Sequence, residues 1–427
     1  MGTSTTRSFS QMLNDYLPND LLKEELIKRD YIISNIERDD GWLTGSSTTG
    51  EAALIVPFKA AGASSVAFGS LTGSTDVAED TYVRGRVTTA KEIWGSMIFN
   101  HRDIMEHDKI SEKNFLKLLP DTISDFMDYL KNVLSVNLMN GAHFAKFASD
   151  NASLASGLAT VDRPDRFVVK QKVFVKDDVT ATSAAGYIQN IDMNTQVVTV
   201  ATTRAGGTPL NLSAYTTANN AKFYNDGADP TSGNAFSSIR GAFLSAANGG
   251  DAQLYGVTKT LYPYLQAINV SGTTITAVNI MEKIFDALTT IRQFGKGAPT
   301  DVVMSYKNIG SCMKVIEASK GAFNVVPNSQ KASQYGWMEV QIGSVTKGSV
   351  KLVGVQEADD DVIYFIDWRA LTFYSNGFFR KRKSPDGIEY FEVRNTTGFQ
   401  YIVDICLFGE LVVKRPSYCG VLFGISY

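Results

Sequence analysis

Metal and acid–base chemistry would have to come from few side chains in this sequence. The three histidines are His101, His107 and His143. Two of them frame His101-x-Asp103-x-x-Glu106-His107, a run of nitrogen and oxygen donors. Zinc motifs of the HExxH type put both histidines on one helical face, one turn apart. The spacing here does not, and a charged corner is expected instead. Glu357 with Asp359, Asp360 and Asp361 could offer oxygens to a hard cation, but the run lacks the glycine and distal glutamate of a calcium loop. A solvated turn is expected. Gly295-Lys296-Gly297 and the Gly343–Gly348 stretch miss the GxxxxGK[ST] spacing of a phosphate loop. No Gly-x-Ser-x-Gly elbow occurs. Cys312 falls in an apolar helical pattern, where a thiol packs. No catalytic, cofactor-binding or metal residue is assigned, no cofactor is expected, and an enzyme is not expected.

The sharpest charge feature is Arg380-Lys381-Arg382-Lys383, beside the turn signal Ser384-Pro385-Asp386-Gly387. It could meet acidic groups of a neighbouring molecule, stand in solvent, or touch nucleic acid. A second set is Lys59, Arg84 and Arg86 on extended runs, with Glu79 and Asp80 close in sequence. These nine residues are the candidate interface positions. An exposed ion pair contributes under about 1 kcal/mol, yet the same pair repeated over many copies selects one geometry.

The elements that carry these residues follow from periodicity. Phe9 to Glu37 has helical spacing, with Leu21, Leu22, Leu26, Ile32, Ile33 and Ile36 among charged residues. Two extended runs follow, Ala53 to Lys59 and Tyr82 to Thr88, the second continuing to Ile93-Trp94. Between them Ala61 to Thr75 is Gly, Ala, Ser and Thr. A ribbon of this kind has little core, and an isolated hairpin is marginal in water. It is expected to rest on neighbouring copies of the chain. A long amphipathic helix is predicted over Asp121 to Met139, with Pro120 and Asp121 in its first turn, and a second short helical stretch through Phe144 and Phe147. Arg166 to Tyr224 reads as short strands with turns, a small barrel or sandwich inserted in a larger unit. Helices are predicted over Phe236–Ala247, Val278–Phe294 and Lys307–Ala318, with a strand at Asp301–Ser305. Strands fill the last hundred residues, with Ser384–Gly387 as a hairpin turn.

Composition sets the class. The 427 residues are 44% hydrophobic and 20% charged, enough for two or three packed units. A net charge of -3 does not suggest a chain that wraps nucleic acid. Three separated cysteines, Cys312, Cys406 and Cys419, imply no disulfide framework. No apolar run is long enough for a membrane span, and no membrane partner is expected.

The order of parts resembles the major capsid proteins of tailed phages, with the Hong Kong 97-type shell fold. The likeness is carried by Pro57-Phe58 through Val87-Thr88 to Ile93-Trp94 as extended loop, Asp121–Met139 as spine helix, and Tyr262-Pro263-Tyr264-Leu265 with Asp301-Val302-Val303-Met304-Ser305 as axial domain. Glu392–Phe399 running into Leu407-Phe408-Gly409-Glu410-Leu411 is similar to the closing strands. The fold implied is α+β: an N-terminal arm over 1–50, a β-ribbon over 51–101, the spine helix and start of the peripheral domain over 102–162, a small all-β insertion over 163–230, an axial domain over 231–360, and return strands over 361–427. The resemblance implies pentamers and hexamers closing into an icosahedral virion shell in the host bacterial cytoplasm, around double-stranded DNA held without sequence-specific binding. A separate scaffolding protein and a portal protein are expected partners, because the stretch before the loop is short where some relatives carry a fused scaffold. Some relatives join subunits through a loop lysine. Ala61 to Asp80 contains none, so covalent crosslinking is not expected. An encapsulin-type compartment shell and a soluble enzyme with an unrecognised site stay open as alternatives.

Overall fold

The computed structural model describes residues 30–39, 54–59, 82–87, 91–100, 112–150, 153–180, 183–228, 234–271, 275–276, 278–295, 297–318, 340–343, 349–375, 379–382, 390–395 and 398–425. The chain divides into two compact units: Val136–Ser238, and a larger one combining Met1–Ser135 with Ile239–Tyr427. Helices and mostly antiparallel strands are mixed in an α+β arrangement.

In chain order the larger unit begins with helix α1 (Tyr31–Asn35), β1 (Glu37–Asp39), β2 (Leu54–Lys59), β3 (Tyr82–Val87), β4 (Lys91–Asn100) and helix α2 (Glu112–Asn140), whose last turn enters the smaller unit. The smaller unit holds β5 (His143–Ser149), β6 (Leu158–Val161), β7 (Lys172–Lys176), β8 (Ala184–Asp192), β9 (Val197–Ala201) and β10 (Lys222–Asn225). They close into a barrel in the order β10-β5-β6-β9-β8-β7. Alternation fills its interior: Val161, Val173, Val175, Ile188, Val198, Val200 and Phe223 are all fully buried. Phe167 meets Phe144 and Phe223 edge-on, at 5.2 and 5.3 Å between ring centroids. The two ends of this unit are tied together, because Asn137 Oδ1 accepts the Phe236 amide at 3.1 Å.

The chain then returns to the larger unit with α3 (Ile239–Phe243), the two-residue strands β11 (Gln253–Leu254) and β12 (Val257–Thr258), β13 (Ile268–Ser271), α4 (Ile280–Thr290), β14 (Asp301–Met304), α5 (Tyr306–Ala318), β15 (Val340–Gly343), β16 (Ser349–Gly354) and β17 (Val362–Ile366). It closes with β18 (Leu371–Ser375), β19 (Arg380–Lys381), β20 (Phe391–Asn395), β21 (Gly398–Val413) and β22 (Gly420–Phe423). One mixed sheet runs β13-β22-β17-β14-β16-β15. The apolar stripe of α4 (Ile280, Ile284, Leu288, with Ile291 beyond it) packs with Cys312 of α5 and with Val302, Leu352, Phe365 and Leu422 of the sheet. Gly420 allows the approach, since a Cβ there would sit 2.3 Å from Ile291 Cδ1.

The second sheet is built on β21. Along one edge lies β4, from Gln400 opposite Asn100 to Gly409 opposite Lys91. Along the other edge β18, β19 and β20 follow one another, all antiparallel to β21, and β1 pairs parallel with β18. The inward face carries Met97, Val403, Ile405 and Leu407, all buried. Helix α2 covers this face at Gly95, where an added Cβ would lie 2.7 Å from Phe126 and 3.1 Å from Leu130.

Several local expectations change. Phe144 and Phe147 lie on a barrel strand, not a helix: Gly141, with φ of 90°, ends α2, and β5 pairs antiparallel with β10. The barrel therefore starts at His143, ahead of the expected insertion. Phe167-Val168-Val169 is not a strand. Helix α2 starts before Pro120 and runs through it, since a proline removes one backbone donor and the turns on either side hold the helix. Of the predicted helix over Phe9–Glu37, residues 9–29 lie outside the described residues; in the rest Asp30 caps α1 by accepting the Ile32 and Ile33 amides at 2.8 and 2.9 Å, and the helix ends at Asn35. Of Phe236–Ala247 only Ile239–Phe243 is α-helix; Lys259 Nζ takes the Gly241 and Leu244 carbonyls at 3.1 and 2.6 Å at its end. The strands flanking Ser384–Gly387 do not pair with each other. Both lie on β21, and the reversal falls between Asn395 and Gly398, which face each other in the register. Residues 384–387 themselves lie outside the described residues.

Candidate assembly surfaces

The ribbon base is built by alternation. Leu54, Val56 and Phe58 face inward on β2, with Val83, Gly85 and Val87 opposite on β3. This face packs on the body of its own unit, against Val257, Leu265, Val412 and Tyr255. Phe58 and Tyr255 stack at 5.9 Å with 7° between planes. Tyr255 also fixes the ribbon through its backbone, accepting the Arg86 amide at 2.8 Å. Its hydroxyl donates to the Leu411 carbonyl at 2.8 Å and accepts the Val413 amide at 3.0 Å. The sequence pattern gave no sign of Tyr255, because it sits between two short strands far along the chain. The outer face carries Lys59, Arg84 and Arg86, all exposed, beside Ile55 and Tyr82, 50% and 62% exposed. Glu79 and Asp80 lie outside the described residues.

A second surface lies on the face of the β21 sheet turned away from α2. The register puts Trp94 opposite Cys406, Ser96 opposite Asp404 and Ile98 opposite Ile402, so these side chains share that face. Trp94 is 65% and Ile98 55% exposed. Arg380, also opposite Cys406, lies with its guanidinium 5.6 Å from the centre of the Phe408 ring. Arg382 stands 5.8 Å from the Phe391 ring and 3.9 Å from Asp404. Asp404 is fixed by the Ser96 hydroxyl at 2.6 Å. A groove of about 730 Å³ runs here, lined by Glu92, Trp94, Arg380, Lys381, Arg382, Asp404, Cys406 and Phe408.

The basic run is thus split by strand alternation. Arg380 and Arg382 are exposed, whereas Lys381 lies opposite Ile405 and is buried. Lys383 lies outside the described residues. Sequence reasoning found the arginines and missed the exposure of Trp94 and Ile98. Their only sequence signal is a run, Ile93 to Phe99, with large apolar residues at both parities, which a strand covered on one face does not need.

The other sequence candidates resolve as structure. Asp359 and Asp361 clasp Arg240, at 3.3 and 2.9 Å, and Lys307 lies 3.9 Å from Asp360. Asp359 is fully buried, so the run is a partly buried clamp and not a solvated turn. Burial opposes the Arg240 charge, but Asp361 and Asp359 hold its guanidinium above the usual range. Burial pushes the Cys312 and Cys419 thiols up to about 12, and raises Cys406 as well, which leaves them poor nucleophiles. His101 and His107 lie outside the described residues, and among the described residues no group of three or more His, Cys, Asp and Glu could hold a metal ion. Among them, too, no helix is long and apolar enough to cross a membrane.

No protein-family model and no curated protein matches the chain. Solved structures do. The chain is similar to the cyanophage A-1(L) capsid asymmetric unit, at 12% identity, with 88% of each chain covered and a TM-score of 0.46. It is similar to the capsid of a native GTA particle, at 9% identity, 92% coverage of each chain and a TM-score of 0.42. The capsid of Myoviridae phage XM1 gives 9% identity, coverage of 92% of this chain and 91% of that one, and a TM-score of 0.38. All three are capsids. Similarity at this level describes those proteins, and this chain is read from its own geometry.

Proposed function

We propose that this chain is a major capsid protein of a tailed phage, which self-assembles through pentamers and hexamers into an icosahedral shell around packaged double-stranded DNA. In this reading the β21 sheet with α2 is the peripheral domain, the β14 sheet with α4 and α5 the axial domain, and the barrel an insertion of the Hong Kong 97-type fold. One observation carries it. The larger unit holds two exposed surfaces of mixed apolar and cationic residues, the outer ribbon face with Ile55 and Tyr82 and the sheet face with Trp94 and Ile98. Exposed apolar groups gathered beside arginines mark a protein interface. The ribbon, anchored at its base, lies across a neighbour, and many modest contacts close the shell.

A scaffolding protein, a portal and assembly in bacterial cytoplasm belong to the same reading, with DNA enclosed without sequence-specific contacts. Negative-stain microscopy of purified chain tests it: closed shells with rings of five and six are expected. Deleting Ala61–Thr75 is expected to leave a folded subunit that does not close shells. A monodisperse monomer at every concentration overturns the reading.

A further inference from the structure

We propose that Tyr255 is a positioning residue for the ribbon: its ring and its hydroxyl together aim the ribbon base, and its backbone is kept in an unfavourable conformation to do so. The proposal rests on the shell reading, in which the ribbon base has to hold one direction.

Tyr255 and Gly256 form the two-residue turn between β11 and β12, with Leu254 opposite Val257. Their φ angles are 50° and 80°. Two positive φ angles in such a turn suit Asn-Gly, and a bulky residue in the left-handed region is disfavoured by the crowding of its Cβ against the backbone. The turn itself does not call for tyrosine. A backbone outlier of this kind points to a task elsewhere, and the contacts of Tyr255 with β2, β3 and β21 supply it. The ring stacks on Phe58 of β2 at 5.9 Å. The carbonyl accepts the Arg86 amide of β3 at 2.8 Å. Gly85 makes room for this approach, since a Cβ there would lie 3.1 Å from Tyr255 Cβ and 2.6 Å from Phe58 Cε2.

The hydroxyl serves the β21 ladder. β4 pairs with β21 as far as Gly409, and the Lys414 amide is donated to the Ala370 carbonyl on the β18 side, at 2.7 Å. Alternation turns the backbone groups of Leu411 and Val413 to the opposite edge, where among the described residues no strand continues the pairing. There the Tyr255 hydroxyl accepts the Val413 amide at 3.0 Å and donates to the Leu411 carbonyl at 2.8 Å. One phenol stands in for a strand residue. It ties β2 and β3 to the strand on which the sheet is built.

Tyr255→Asn keeps the turn, because asparagine adopts a positive φ readily, and removes ring and hydroxyl together. Tyr255→Phe keeps the ring alone. Hydrogen exchange on the unassembled subunit reads the hold. Peptides covering β2 and β3 are expected to exchange about tenfold faster in Y255N, as the loss of one aromatic stack implies. Y255F is expected between Y255N and the unsubstituted chain, with β14 and β17 unchanged in both. Unchanged ribbon exchange in Y255N, β14 and β17 accelerating with it, or Y255F matching either extreme overturns the proposal. Shell closure reads the aim: yield is expected to fall at least about tenfold in Y255N, because the ribbon is no longer preorganised, and less in Y255F. Full yield in Y255N overturns the proposal. An unsubstituted chain that never closes shells removes the shell reading, and the exchange rates still decide whether Tyr255 holds the ribbon.

Discussion

The barrel and the β21 sheet solve the same problem in opposite ways. In the barrel every strand has two neighbours, so no edge is left, and the inner face is filled by Val161, Val173, Ile188, Val198 and Phe223. Among the described residues the β21 sheet is covered by α2 on one face, at Gly95, and the other face leaves Trp94 and Ile98 exposed. A closed barrel needs nothing further to satisfy its backbone and its core. A one-sided sheet with apolar residues at both parities is finished only by something laid upon it.

Substitutions separate these two designs. The largest effect is expected for Phe223→Ala, which empties the middle of the barrel and costs about 3–5 kcal/mol. Hydrogen exchange should show faster opening of β5–β10, while β14 and β17 of the larger unit keep their protection. Equal loss in both would mean that the units unfold as one. Next is Gly95→Leu, which forces a side chain into Phe126 and Leu130 and costs about 1–3 kcal/mol. A fall in Tm is the readout, and an unchanged Tm would show that α2 does not press on this face.

A smaller effect is tied to pH. Lys259 is buried, and its burial pushes the amine down to about 8 from an ordinary 10.5, against the opposing pull of Asp251. Between these values the unfolded chain binds the proton that the folded chain has lost, so this group makes stability rise with pH from about 8 to 10.5. Below about 8 the full cost of a buried charge is present. Lys259→Met should remove that rise from the Tm–pH profile, and parallel profiles would refute the assignment. The smallest effect on the isolated subunit is expected for Trp94→Ala, within about 0.5 kcal/mol because the side chain is exposed, although shell formation should fail. A large loss of subunit stability would show that Trp94 serves its own chain and not a neighbour.

The ribbon shows where local pattern misleads. Its two extended runs were legible from residue types, but the sides were not: Leu54 to Phe58 is apolar at both parities, and only the structure turns Val56 and Phe58 in and Ile55 and Pro57 out. What the inner face touches was not legible either. Tyr255 and Val412 lie far away in sequence, and nothing local marks either as the support of Phe58. The split of Arg380-Lys381-Arg382-Lys383 is a milder case. A strand alternates sides whatever its charge, so Lys381 turned inward as soon as β19 paired with β21.

Residue order by itself determined the periodic elements: the α4 stripe of Ile280, Ile284 and Leu288, the strand at Asp301–Met304, the alternating Val198 and Val200, and the Asp192–Thr195 turn, in which Asp192 accepts the Asn194 and Thr195 amides at 2.9 and 3.2 Å. Each depends on neighbours a few residues away. Only the tertiary structure decided that β5 joins a barrel, that β18, β19 and β20 share one edge of β21, that Asp359 and Asp361 serve Arg240, and that the ribbon base has its own support. Those outcomes depend on pairings between residues distant in the chain, whose free energy comes from burial and hydrogen bonds that no local window contains.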